Sequence, residues 1–187
     1  DRILSPTSRM NELTALVVDD SALARNIIVE NITRDGLTVI EAENGREALD
    51  MIQHDKDTID IIVTDLMMPE MDGITLCNTI RKDLHLDAIP VIFLTSMADQ
   101  QQLLKVFQAG ATDYLIKPFF QEELMARIRV HLEKSRLIRE LRGSIAEHEV
   151  AEKEREERQK LQGVVEMAGA VCHELNQPIQ TVSGLAH

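Results

Sequence analysis

A chain of 187 residues has room for one well-buried domain of the usual ~100 to 150 residues plus an extension. Its 44% hydrophobic and 28% charged residues are globular values, and a net charge of −12 argues against binding a phosphate backbone, so nucleic acid is not expected as a partner. Two distant cysteines, Cys77 and Cys172, support neither a disulfide framework nor a zinc motif and fit a reducing cytoplasm, while no apolar run reaches the ~18 to 20 residues of a membrane span and "DRILSPTSRMNE" lacks a signal-peptide layout.

Residues 1–12 read as an N-terminal tail. From Leu13 to about Leu132 five short apolar runs alternate with five helical patterns, the mark of an α/β domain. The runs are "LTALVV" (13–18), "TVIEA" (38–42), "IDIIVT" (59–64), "PVIFLT" (90–95) and "DYLIK" (113–117). Three are apolar nearly throughout, as strands of a parallel sheet buried on both faces are. Between them lie "SALARNIIVENITRDG", "GREALDMIQHD", "GITLCNTIRKDL" and "ADQQQLLKVFQAG", with Gly36 and Gly110 placed to end helices.

From Phe119 the pattern is helical to the last residues, a length without caps that points to a coiled coil. Residues 133–160 read as a coiled-coil linker continuous with the fifth helix. Ile138, Leu141, Ile145 and His148 form a heptad seam, and the following "EHEVAEKEREERQK" carries Glu149/Lys153, Glu154/Arg158 and Glu156/Lys160 at favourable i, i+4 spacing. From 161 to 187 a second apolar stripe follows: Leu161, Val165, Ala168, Cys172, Leu175, Ile179, Val182 and Ala186. It is one residue out of phase with the first, so the charged run between them is a candidate joint at which the supercoil rewinds.

In a doubly wound parallel sheet, ligands bind at the C-terminal ends of the strands. Strand 1 ends in Asp19 and Asp20, strand 3 in Asp65, strand 4 in Thr95, and strand 5 in Lys117 followed by Pro118. Clustered carboxylates repel one another and call for a hard cation, and Mg²⁺ suits an open oxygen site. Lys117 brings a mobile positive charge and Thr95 a hydroxyl donor, both suited to phosphoryl oxygens, and Asp65 is placed to be the nucleophile that becomes an aspartyl phosphate. Helix capping accounts for any one of these acids: Asp20 or Ser21 for the first helix, Asp72 for the third. It does not account for the whole set at strand ends.

"VVDD", "VTDLMMPEMDG", "FLTSM" and "DYLIKPF", in this order, resemble the receiver domain of two-component response regulators across 13–132. The resemblance implies a five-stranded parallel doubly wound, flavodoxin-like (βα)5 sheet of order 2-1-3-4-5, followed here by the long C-terminal helix. It implies Asp65 as phosphoacceptor and Mg²⁺ held by Asp19, Asp20, Asp65 and the Met67 carbonyl. Thr95 and Lys117 would contact the phosphoryl group, Thr95 and Tyr114 would switch together, and Lys117-Pro118 would be cis. The implied partner is a histidine kinase or a phosphotransfer protein. Phosphatases of the haloacid-dehalogenase type also use an aspartyl nucleophile, but carry a second aspartate where this chain has Met67.

Near the C-terminus "CHELNQPIQTVSG" resembles the H-box of histidine kinases. That resemblance makes His173 the phosphorylated histidine and Glu174 its acid/base neighbour, with Pro178 bending the helix just beyond. Gln177 departs from the Thr or Asn often found four residues after the histidine. A lone histidine on a helix is ordinarily a surface residue, which is how His54, His85, His131 and His148 read. The implied order is receiver, coiled coil, kinase, with 161–187 a partial dimerisation and phosphotransfer helix and the chain a fragment of a hybrid receiver–histidine kinase without its ATP-binding domain. A parallel homodimer through the C-terminal helix, no membrane association and a cytoplasmic location complete the expectation. The competing reading is a receiver-based dimerisation and docking module with an idle terminal helix. A transcription regulator lacks support, because no helix-turn-helix or basic segment follows.

Overall fold

The computed structural model describes residues 13–55, 58–96 and 100–183, and the side chains of these except at 100, 170 and 172–183. The N-terminal tail expected at 1–12 and the final residues 184–187 lie outside the described residues. The elements are β1 (Thr14–Val18), α1 (Ala22–Arg34), β2 (Thr38–Ala42), α2 (Gly45–His54), β3 (Ile61–Asp65), α3 (Gly73–Lys82), β4 (Val91–Thr95), α4 (Gln100–Gln108), β5 (Asp113–Ile116) and α5 (Gln121–Ser183). The strands form one parallel sheet of order β2-β1-β3-β4-β5, the expected doubly wound arrangement.

Alternation along the central strands explains why their sequences read as continuous apolar runs. Ala15 and Val17 of β1, Val63 of β3, and Ile92 and Leu94 of β4 join one core with Ile28 and Ile32 of α1 and Leu124, Ile128 and Leu132 of α5. Leu16 and Val18, Ile62, and Val91 and Phe93 point the opposite way, into a second core. There they meet Ala48, Leu49 and Ile52 of α2 and Leu76, Cys77 and Ile80 of α3. α2 and α3 bury the same spacing, Gly45/Ala48/Leu49/Ile52 and Gly73/Leu76/Cys77/Ile80, the i, i+3, i+4, i+7 stripe of an amphipathic helix. Phe93 is wholly buried, and truncating such a side chain to alanine costs about 3–5 kcal/mol.

Helix ends settle the capping question. Ser21, not Asp20, caps α1, its hydroxyl accepting from the Ala24 N–H, and Asp72 caps α3 by accepting from Thr75 at 2.7 Å. Gly36 and Gly110 have φ of 95° and 93°, the left-handed conformation that lets the chain leave a helix.

Three arginines tie the periphery together through groups distant in sequence. Arg81 of α3 donates to the carbonyls of Gly110, Leu86 and Ile89. Arg129 of α5 grips Asp35 with both sides of its fork, Nε lying 2.7 Å from Oδ2. Arg127 donates to both oxygens of Asp113 on β5 at 2.9 Å, and His131, one turn further along α5, lies 3.0 Å from the same carboxylate. His131 thus bridges β5 and α5, whereas sequence alone made it an ordinary helix residue.

The chain divides into two units, the first ending at Leu137 and the second beginning at Ile138. Along the second, Ile138, Leu141, Ile145, Leu161, Val164, Val165, Met167 and Val171 are exposed. Among the described residues no ion pair closes between Glu149 and Lys153, Glu154 and Arg158, or Glu156 and Lys160. Exposed pairs of this kind contribute little in water.

Two measurements test this packing. A Cβ on Gly73 would lie 2.4 Å from the Asp65 carbonyl oxygen and 2.8 Å from Phe93 Cε1, so Gly73→Ala should cost about 2 kcal/mol in urea unfolding, since backbone on one side cannot yield. Burial raises the Asp113 pKa, but hydrogen bonds from His131, Arg127 and the Tyr114 N–H, with the Arg127 charge, outweigh it and hold the carboxyl below the ordinary aspartate range. Its contribution to stability is therefore complete well above the unfolded value of about 4 and is lost as pH falls below that value through the lower folded one. Asp113→Asn should lower stability by about 1 kcal/mol at pH 7 and flatten the decline below about pH 4, read by unfolding at each pH.

Candidate functional site

The C-terminal ends of β1, β3, β4 and β5 bring polar groups to one edge because the strand interiors are filled on both faces. Asp19 follows β1 directly and is fully buried, Asp20 beside it is exposed, and Asp65 closes β3 partly buried. One carboxylate oxygen from each of the three lies within 4.8 Å of the others. At that separation each like-charged pair costs roughly 3 kcal/mol at an effective dielectric of ~20. Such a cluster persists only with compensating positive charge.

Lys117, the residue after β5, supplies part of it. Its Nζ lies 3.0 Å from Asp19 Oδ2 and 3.0 Å from Asp65 Oδ2, bridging two strands 98 and 52 positions away in sequence. Burial disfavours the ammonium, but hydrogen bonds to Asp19 and Asp65, together with their charges, prevail and hold the Lys117 pKa above the ordinary lysine value. The Lys117 N–H donates to the Thr95 carbonyl at 2.7 Å, which fixes where the side chain starts, and the Lys117-Pro118 peptide is cis.

Main-chain donors hold the acids in place. The Ser21 N–H donates to Asp19 Oδ1 at 2.9 Å and the Leu66 N–H to Asp65 Oδ1 at 2.7 Å, which leaves each Oδ2 facing Lys117. The Leu66 N–H also reaches the Leu94 carbonyl, and the Leu66 carbonyl accepts from Gly73, so the turn after Asp65 is closed over the start of α3. Gly73 permits that approach because it has no Cβ.

Three oxygen-donor carboxylates of mixed exposure, one open to solvent, form a donor set suited to a hard divalent cation such as Mg²⁺. Thr95 ends β4 with its side chain buried. Met67 lies two residues past Asp65 with an exposed side chain. Tyr114 on β5 is half-buried and meets Phe107 of α4 edge-to-face, the ring centroids 5.5 Å apart. His173 and Glu174 belong to α5 by backbone, and their side chains lie outside the described residues.

Sequence reasoning missed one member. Arg25 of α1 is buried, and its guanidinium donates to the Asp19 carbonyl at 2.7 Å, to Glu41 at 3.2 Å and to Glu43 at 3.3 Å. The signal was present: Arg25, Ile28 and Ile32 share one helical stripe, and a charge on an inward stripe needs a buried partner.

The response regulator receiver domain family matches residues 15–129. The transcriptional regulatory protein ResD of Bacillus subtilis is 37% identical over 125 residues, covering 67% of this chain and 50% of ResD. The chain spans about half the length of the curated relatives it matches. Among solved structures, a putative response regulator from Chloroflexus aurantiacus superposes with a TM-score of 0.60 at 34% identity, covering 65% of this chain and 98% of that one. The signal receiver domain of a signal transduction histidine kinase from Syntrophus aciditrophicus gives a TM-score of 0.60 at 30% identity, with 65% and 90% covered. The acidic edge lies wholly within the matched region, and the chain belongs to the response regulator receiver domain family of two-component signalling.

Proposed function

We propose that Asp65 accepts a phosphoryl group from a phosphohistidine on a histidine kinase or phosphotransfer protein, and that α5 carries the resulting change along its own length beyond the receiver. The observation that carries this reading is the ammonium of Lys117 shared at 3.0 Å between Asp65 and Asp19. An Asp65 oxygen attacks phosphorus, the P–N bond breaks, and its electron pair returns to the donor imidazole, which takes up a proton. Asp65 thereby loses its negative charge as a carboxylate and gains a dianionic phosphoryl group beside Lys117. The ammonium pairs with a phosphoryl oxygen, and the Thr95 hydroxyl donates to another. Asp19, Asp20, Asp65 and the Met67 carbonyl would hold Mg²⁺, which supplies further neutralisation of phosphoryl charge.

Two exposed apolar side chains border the same edge, Leu23 at the start of α1 and Phe120 just before α5, with Ile27 one turn along α1. They offer a donor protein a greasy footing beside Asp65. Beyond the receiver, the exposed apolar residues from Ile138 to Val171 support a parallel homodimer through the C-terminal helix, since a second copy covers that stripe. His173, with Glu174 as its proton acceptor, is the phosphorylated group of that helix in this reading. The same exposed stripe favours a second reading, a docking module that dimerises and whose histidine is idle.

Incubation with Mg²⁺ and acetyl phosphate should add one phosphoryl mass to the intact chain and none to Asp65→Asn. No Mg²⁺-dependent gain in the wild type refutes the phosphoacceptor and leaves the docking module. Cysteines introduced singly along 138–171, in a chain with Cys172 replaced, should change their disulfide crosslinking pattern when Asp65 is phosphorylated. An unchanged pattern refutes transmission through the helix.

A further inference from the structure

We infer that Arg25 is a positioning residue for the acidic pocket, setting the Asp19–Asp20 peptide and through it the direction of the Asp20 carboxylate. This rests on the phosphoacceptor reading above and assigns a role to a residue outside its ligand set. Asp19 is already held at several points: its N–H donates to the Ala42 carbonyl at 3.3 Å, Oδ1 accepts from Ser21 and Oδ2 from Lys117. Asp20 is exposed, and it hangs from a peptide whose oxygen is the acceptor of the Arg25 bond at 2.7 Å. That bond is buried, so water does not replace it cheaply.

The other arms of the guanidinium explain why an arginine stands here. Nε and Nη2 reach Glu41 at the end of β2 and Glu43 just past it, while Nη1 faces the peptide. The two glutamates are far more exposed than Arg25, at 44% and 72% against 10% for their side chains. They anchor the fork from the solvent side, and the planar guanidinium turns that anchoring into a fixed direction for the third donor. A lysine would reach the carbonyl but would not be oriented by both acids.

A role confined to joining α1 to β2 would act through Glu41 and Glu43; a positioning role acts through the Asp19 carbonyl. Calorimetric titration of the full chain with Mg²⁺ separates them, with thermal unfolding recorded alongside. Arg25→Met, which keeps the apolar stem and removes every donor, should weaken Mg²⁺ binding roughly tenfold. The Mg²⁺ concentration giving half-maximal phosphorylation by acetyl phosphate should rise with it. Arg25→Lys should bind within about threefold of wild type, since it retains a donor for the carbonyl. The double variant Glu41→Gln/Glu43→Gln, whose amide oxygens still accept from the guanidinium, should stay within about threefold of wild-type affinity. Arg25→Gln, too short to reach the carbonyl, replaces the Met variant if that does not fold. Equal Mg²⁺ affinity in Arg25→Met and wild type overturns the inference, as does an equal loss in the double glutamine variant. A wild type that binds no Mg²⁺ overturns the phosphoacceptor reading itself, and this inference with it.

Discussion

Mutual repulsion of three carboxylates gathered within 4.8 Å is the constraint around which the receiver unit is organised. Left to themselves, such groups separate or take up protons. Here they cannot separate, because Asp19 and Asp65 stand at the ends of strands paired in fixed register, Val18 against Thr64. The sheet interior on both sides of those strands is filled with aliphatic side chains, so a shift of either strand would break two cores at once. Packing therefore holds the charges together, and Lys117 makes the arrangement tolerable. The ammonium costs desolvation, and its hydrogen bonds to both acids more than offset that cost.

The same logic explains how the periphery is wired. Among the described residues, Arg25, Arg81, Arg127 and Arg129 reach main-chain carbonyls or carboxylates on a different element or loop. Arg25 joins α1 to the β1 edge and β2, Arg81 joins α3 to the loops before β4 and after α4, and Arg127 joins α5 to β5. The Arg25 and Arg81 guanidiniums satisfy main-chain carbonyls that lie past the end of a strand or helix. The result is a sheet whose C-terminal edge is polar and tightly specified while its strands stay apolar. A phosphoryl group added at Asp65, as proposed, would enter a network in which Lys117 offsets only part of the acidic charge, and its charge would have to be absorbed by rearranging groups that already have partners.

Much of this was legible in the residues because it is local. The strands announced themselves as apolar runs, and their observed limits differ from the runs by at most two positions, from no difference for "TVIEA" to Ile61–Asp65 for "IDIIVT". Gly36 and Gly110 end helices where their positions implied, and the chain order of the acids, with Lys117 last, placed all of them on one edge. What sequence reasoning could not supply was pairing across distance. Asp113 with Arg127 and His131, Asp35 with Arg129, and Asp19 with Arg25 depend on which helix faces which strand end, and hydrophobic period reports a buried face without naming the polar group opposite it. The choice between Asp20 and Ser21 as a helix cap was open for a related reason: two adjacent residues with capping side chains differ only in backbone angles that spacing does not encode.

The second unit presents the opposite physical problem. In the receiver α2 and α3 each bury a stripe at i, i+3, i+4, i+7 in the core, whereas from Ile138 onward apolar residues on the helix face solvent: Leu141 is 62% exposed and Val165 70%. A helix draws most of its stability in water from packing of such a face rather than from intrinsic propensity. The charged run 147–160, with glutamate, lysine or arginine at ten of its fourteen positions, adds solubility and little core. A helix of this composition is therefore a conditional element, dependent on whatever covers its stripe and weakest where the two seams fall out of phase. If a second copy supplies the cover, the weak section lies between two stronger ones, and a small bias from the receiver end has most leverage there. The parts that move are then set by where the apolar pattern fails, just as the parts that stay fixed in the receiver are set by where it is continuous.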